Sequence, residues 1–156
     1  MTGLIQPLVL PSRPRAAEPN PAPAGAFVPL PMPGLPDLAA HGQRRFSTAL
    51  VDSSGRIQDR GIVGALSWKP GDRLLITQIR SSAVIYRRDD GIFRMTTKPY
   101  VVLPAPVRHG CGVHAGSRVL LVADLDQDVL VVHPEHVVHA MLRDFHTTLA
   151  AEEDNR

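Results

Sequence analysis

A mainly β domain with short helices is the fold class this sequence predicts, and three features predict it. The first is an internal repeat. Val84-Ile85-Tyr86 recurs as Val129-Leu130-Val131, and Gly71-Asp72-Arg73-Leu74-Leu75-Ile76 recurs as Gly116-Ser117-Arg118-Val119-Leu120-Leu121, both 45 residues further on. The second is the local pattern of each copy: short runs of Val, Ile and Leu bounded by Gly, Pro, Asp and Ser, which read as strands and turns. The third is the placement of proline, with ten of the fifteen falling between Pro7 and Pro36. Proline fixes φ and removes a donor, so residues 1–43 read as an extended, disordered arm. A repeat this short cannot bury its own hydrophobic face. The two copies, about 46–90 and 91–134 within a domain spanning 44–134, are therefore expected to build one core between them.

Each copy reads as strand, short helix, strand, strand. In the first, Phe46 to Val51 begins a strand, and Asp52-Ser53-Ser54-Gly55 is a turn whose side chains can bond nearby backbone. Arg56 and Ile57 resume the extended chain. Ile62, Val63 and Leu66 then give one face of a two-turn helix over Arg60 to Ser67. Lys69-Pro70-Gly71-Asp72 makes the next turn, and Leu74 to Ile79 with Ala83 to Tyr86 makes a hairpin. The second copy starts with a strand over Ile92 to Thr97 and another at Val101 to Leu103. Pro104 is suited to the first position of a helix, where its missing N–H costs nothing. That helix is expected to turn Val107 and Cys111 inward and Arg108 outward. Val119 to Ala123 and Val129 to Val132 form the second hairpin around the acidic turn Asp124 to Asp128. Residues 135–156 read as an amphipathic helix with an acidic tail, opened by Pro134. Its stripe of Val138, Met141, Leu142, Phe145 and Leu149 is expected to pack on the domain, the alternative being a helix that receives a second protomer or a protein partner.

Charge is uneven along the chain although the net is only +2. Residues 47–110 hold ten basic and five acidic side chains, whereas residues 111–156 hold three basic and eight acidic ones. A basic middle suits phosphate binding by one region only. The apolar start lacks a basic n-region and is interrupted by Pro7, so no secretory signal is expected. No apolar run approaches a membrane span, and a single cysteine rules out an intramolecular disulfide framework. The expected setting is the cytoplasm, without membrane association.

Val51-Asp52-Ser53-Ser54-Gly55-Arg56-Ile57 followed by Pro70-Gly71-Asp72-Arg73-Leu74 resembles the AbrB/MazE/SpoVT DNA-binding family. The second copy adds Leu103-Pro104-Ala105-Pro106-Val107-Arg108 and Gly112-Val113-His114-Ala115-Gly116. The resemblance covers about residues 47–134. It implies a swapped-hairpin β-barrel in which two βαββ halves interlock, here within one chain as a pseudo-dimer. It also implies double-stranded DNA as partner, with Arg56 matching the family's Gly-Arg arginine and Arg108 and His109 its basic pair on the short helix. Arg44, Arg45, Arg60, Arg94 and Lys98 lie beside or inside the same segments and complete the candidate DNA-binding set. Departures from the pattern are specific. Asp59-Arg60 stands where the family has proline, Val63 matches Arg108, and Pro99-Tyr100 replaces Gly-Arg in the second copy. The DNA-facing set is therefore asymmetric, which points away from a perfect palindrome.

Other chemistries find less support. Gly110-Cys111-Gly112-Val113-His114-Ala115-Gly116 has its last glycine one residue late for a dinucleotide loop and lacks a βαβ context. Cys111 falls where the first copy has Leu66, so it is expected as a packing residue and not a nucleophile. His133, His136, His139 and His146 have no carboxylate or cysteine at convincing ligand spacing, and no metal is expected. With no paired carboxylates, nucleophile elbow or phosphate loop, the expectation is a transcriptional regulator that is not an enzyme and uses no cofactor. The alternatives are an antitoxin that autoregulates its promoter and binds a toxin protein, or an assembly module that has lost DNA binding. Two pseudo-dimers pairing as a homodimer is a further possibility for the partner.

Overall fold

The computed structural model describes residues 42–155. The arm expected over residues 1–43 thus lies outside the described residues, apart from Gly42 and Gln43. Gln43 is tied to the second copy: its N–H donates to the Asp126 carboxylate at 2.9 Å, and its carbonyl accepts from Leu125 N–H at 2.9 Å.

The chain runs β1 (Arg44–Leu50), β2 (Arg56–Ile57), α1 (Arg60–Ala65), β3 (Arg73–Ile79) and β4 (Ser82–Arg87) through the first copy. The second copy gives β5 (Phe93–Arg94), β6 (Val101–Val102), α2 (Ala105–Gly110), β7 (Arg118–Asp124) and β8 (Val129–Pro134), and α3 (Glu135–Asp154) follows. Six strands form one antiparallel sheet in the order β1-β7-β8-β4-β3-β5, and β2 pairs with β6 in a second ladder. The first strand of each copy is therefore exchanged, β1 lying on β7 and β5 on β3.

The hairpins meet in the middle with a symmetric register. Val84 opposes Val131, Ile85 opposes Leu130, and Tyr86 opposes Val129. Because Val84 matches Val129 in the repeat and Tyr86 matches Val131, a pseudo-twofold axis passes through the Ile85–Leu130 pair. At the exchanged strands the offset drops by one: the Ala49–Val119 pair returns as Phe93–Leu74. The missing residue is restored near Leu103, before the helix caps at Asp59 and Pro104.

Both faces of the sheet are covered. On one, Leu74, Ile85, Leu121 and Leu130 pack with Ile57, Trp68, Leu103 and Cys111. On the other, Val84, Val122, Val129 and Val131 form a second buried cluster. Burial on both faces is why β8 reads as an unbroken apolar run and not as an alternation. Trp68 also spans the copies, its indole N–H donating to Asp128 at 2.7 Å. Asp128 accepts from Arg87 as well, at 2.7 Å.

Three expectations change. The barrel implied by the resemblance does not close: β1 and β5 are edges, and a single bridge, Val51–Ile57, joins β2 to the end of β1. The linking strands are too short to close it, interrupted by the Asp52–Gly55 turn in one copy and by Pro99 and Pro104 in the other. The strand expected over Ile92 to Thr97 reduces to Phe93–Arg94, although Met95 still exchanges backbone bonds with Gly71 and Asp72. The stripe of α3 does not pack on the domain: Val138 is half-buried, whereas Met141, Leu142, Phe145 and Leu149 are exposed. The helix leaves from the last rung of the β7–β8 ladder, Val119–Pro134, and at about 30 Å it outruns the sheet.

Leu130→Ala should cost about 2–5 kcal/mol, because a fully buried side chain is truncated on the axis. Leu149→Ala, at an exposed position, should stay within about 0.5 kcal/mol, both read from urea unfolding. A pH prediction comes from His133, whose Nδ1 lies 2.8 Å from Ser82 Oγ and whose pKa burial lowers. The folded state then binds fewer protons than the unfolded one. Its contribution to stability is complete above the unfolded pKa, about 6.5, and is lost as pH falls through the lower folded value. The urea midpoint should drop between about pH 7 and pH 5, with a shallower slope in His133→Gln.

Candidate nucleic-acid interface

The β2–β6 ladder and its flanking turns bring the basic residues together. Asp52 organises the first turn, its carboxylate accepting from Ser54 N–H at 2.8 Å and Arg56 N–H at 2.9 Å. The bond from Arg56 N–H is the main cause of a carboxyl pKa below the usual value, so Asp52 remains ionised at neutral pH. Gly55 closes the turn with φ of 79°, a left-handed conformation that favours glycine. A Cβ there would lie 2.6 Å from the Leu103 carbonyl oxygen and 2.7 Å from Arg108 Nε. The absent side chain is what allows Arg108 to lie across the turn.

Arg108 thus reaches from α2 to the residue preceding Arg56. Its Nε is buried and has no hydrogen-bond partner among the described residues. Arg56 is about half-exposed, with only a 4.0 Å approach to Asp52. Across the ladder, Arg56 lines a cleft of about 240 Å³ with Thr96, Thr97, Lys98, Tyr100 and Val102. Thr96, Tyr100 and Val102 also line an adjoining cleft that Arg94 enters. The Thr96–Tyr100 turn is tight: Lys98 carbonyl accepts from Thr96 Oγ1 at 2.8 Å and Tyr100 N–H at 2.7 Å.

The two turns are related by the repeat but differ in chemistry. At the offset of the exchanged strands, Thr96 stands where the first copy has Asp52, Lys98 where it has Ser54, and Tyr100 where it has Arg56. The first turn contains a carboxylate and the second a lysine without one. Thr96, Thr97 and Tyr100 were not among the expected contact residues. The signal was available in the shortened offset, which makes Tyr100 the repeat equivalent of Arg56.

The remaining candidates are dispersed. Arg60 opens α1 and His109 sits near the end of α2, both exposed. Asp59 caps α1, accepting from Ile62 N–H at 2.9 Å and from the Ser47 hydroxyl. Arg45 lines a separate cleft beside that cap with Ser47, Asp59 and Gly61. Arg44 faces buried Asp124 at 3.6 Å, about 20 Å along β1 from the end that feeds the first turn. The candidates Arg56, Lys98, Arg94 and Arg108 are gathered around the ladder; Arg44 and Arg45 are not.

The described residues contain no group of three His, Cys, Asp or Glu side chains able to hold a metal ion. Cys111 is buried, and burial pushes its thiol up to about 11. No helix among the described residues is long and apolar enough to cross a membrane.

Gly55→Ala should cost about 1–3 kcal/mol in urea unfolding, since it combines a left-handed φ with a contact against backbone oxygen. Gly64→Ala in α1, where a Cβ meets nothing within 4 Å, should instead stabilise by about 0.4–1 kcal/mol.

No protein-family model, curated protein or solved structure matches the chain.

Proposed function

We propose that this chain is a transcriptional regulator of the AbrB-like type that binds duplex DNA through the β2–β6 ladder and its turns, without catalysis or cofactor. In this reading the exchange of β1 and β5 is the swapped-hairpin arrangement, assembled from one chain and open at its edges. The observation that carries the proposal is the convergence of Arg56 and Lys98 on one cleft, with Arg108 laid across Gly55 beside them. Three cations close together repel one another, and an anion relieves that repulsion. Arginine forks can bind phosphate or read guanine edges, and lysine adds a point charge. The Tyr100 and Thr97 hydroxyls lining the cleft are suited to phosphate oxygens. The different chemistry of the two turns favours an operator whose half-sites differ.

The test is fluorescence anisotropy with duplex from upstream of the chain's own coding sequence, against random duplex, across a salt series. Log K should fall with log salt at a slope on the order of −5, as expected for about six phosphate contacts. Replacing Arg56 and Arg108 together with alanine should cost more than about 1 kcal/mol of binding, since bidentate base contacts contribute about 1–3 kcal/mol each. A flat salt response, or equal weak binding to both duplexes, would overturn the proposal.

A further inference from the structure

The turns that link the strands seal the two copies unequally. In the first copy Val51 bridges Ile57 across the Asp52–Gly55 turn, and Gly55 N–H donates to the Asp52 carbonyl at 3.0 Å. The repeat equivalents in the second copy are Met95, Val101 and Pro99. Proline has no N–H to donate, and no bridge joins Met95 to Val101 among the described residues. The second turn folds instead onto the Lys98 carbonyl. Residues of β3, β5 and β6 line a cleft here of about 280 Å³ that reaches the core. Leu74 and Ile76 on its wall are buried, and Phe93, Val102 and Pro104 are half-buried.

Charge selects the occupant of this cleft. It runs into the one lined by Arg56 and Lys98, with Thr96, Tyr100 and Val102 common to both. Arg56, Lys98 and Arg94 therefore border the joined clefts, and among the described residues no Asp or Glu lines either. Asp52 approaches Arg56 to 4.0 Å, but its carboxylate already accepts from the Ser54 and Arg56 N–H groups of its own turn. Inorganic phosphate would leave the apolar wall wet, and a neutral hydrocarbon would leave the cations uncompensated. A molecule divided in the same way, apolar body and single anionic head, satisfies both parts. The volume lies at the small end of ligand sites, which suits a short acyl chain or one ring.

We propose that the joined clefts bind a small amphipathic monocarboxylate, its apolar body against Leu74, Ile76, Phe93 and Val102 and its carboxylate at Arg56 and Lys98. This site goes beyond the DNA-binding reading and does not depend on it.

Amide NMR of the isotopically labelled full chain, titrated with octanoate in the absence of DNA, tests it. Saturable shifts should centre on Phe93–Arg94 and Thr96–Val102, with a Kd below about 1 mM, an affinity within reach of a probe this small. Octanamide keeps the chain but lacks the charge. It should bind roughly tenfold more weakly, because hydrogen bonds to a charged group are about twice as strong as neutral ones. Arg56→Gln combined with Lys98→Gln, both at exposed positions, should weaken octanoate roughly tenfold and leave octanamide unchanged. No saturable shift up to about 10 mM octanoate would overturn the proposal. Equal affinity for octanoate and octanamide would do the same, as would shifts centred on the exposed stripe of α3. Inorganic phosphate binding as tightly as octanoate would also overturn it, since the apolar wall would then contribute nothing.

Discussion

Everything in this fold depends on two half-cores that have to be completed by each other. A 45-residue copy with one helix of six residues has too little surface to bury for independent stability. The copies complete one another by exchanging first strands and by joining hairpins along β4 and β8, with Ile85 and Leu130 fully buried on the axis. Helix packing follows the same rule. The α2 helix rests against β3 of the other copy, where Gln78 donates to the Gly110 carbonyl at 2.9 Å, and α1 lies against β1 and β7. Removing either copy would expose the apolar side of the other.

This constraint also positions the candidate interface. The β2–β6 ladder joins one strand from each copy, with Arg56 opposite Val102 and Ile57 opposite Val101. Ile57 and Val101 are buried and anchor the ladder to the core, which leaves Arg56 at the surface. The turns before the two strands sit side by side because the repeat relates them. Their sequences have diverged, so a symmetric scaffold presents unequal chemistry: a carboxylate-braced arginine on one side, and a lysine with tyrosine and threonine on the other.

Much of the fold was legible in the sequence, because its signals are local. Gly71 and Gly116, with φ of 90° and 83°, mark equivalent turns, and the runs flanking them have strand composition. The buried position of Cys111 follows from its match to Leu66 in the repeat. The strand exchange was not legible from these signals, since nothing in β1 itself states whether it pairs within its own copy. Nor was the open edge, because barrel closure depends on how far β2 and β6 extend, and prolines and turns cut both short. The stripe of α3 was legible as amphipathic, but periodicity does not say which surface covers it. The same holds for the interface. Arg56 and Arg108 stood out as residues, whereas their meeting over Gly55 depends on a left-handed backbone and a close approach to the Leu103 carbonyl.

The most direct test of the account is a two-dimensional amide NMR titration of the isotopically labelled chain with duplex DNA. The largest shifts should cluster at Asp52–Ile57, at Thr96–Val102 and at the start of α2, while α3 beyond Met141 stays unchanged. Shifts centred on α3 or on the Arg44 end of β1, with the β2–β6 ladder silent, would contradict it.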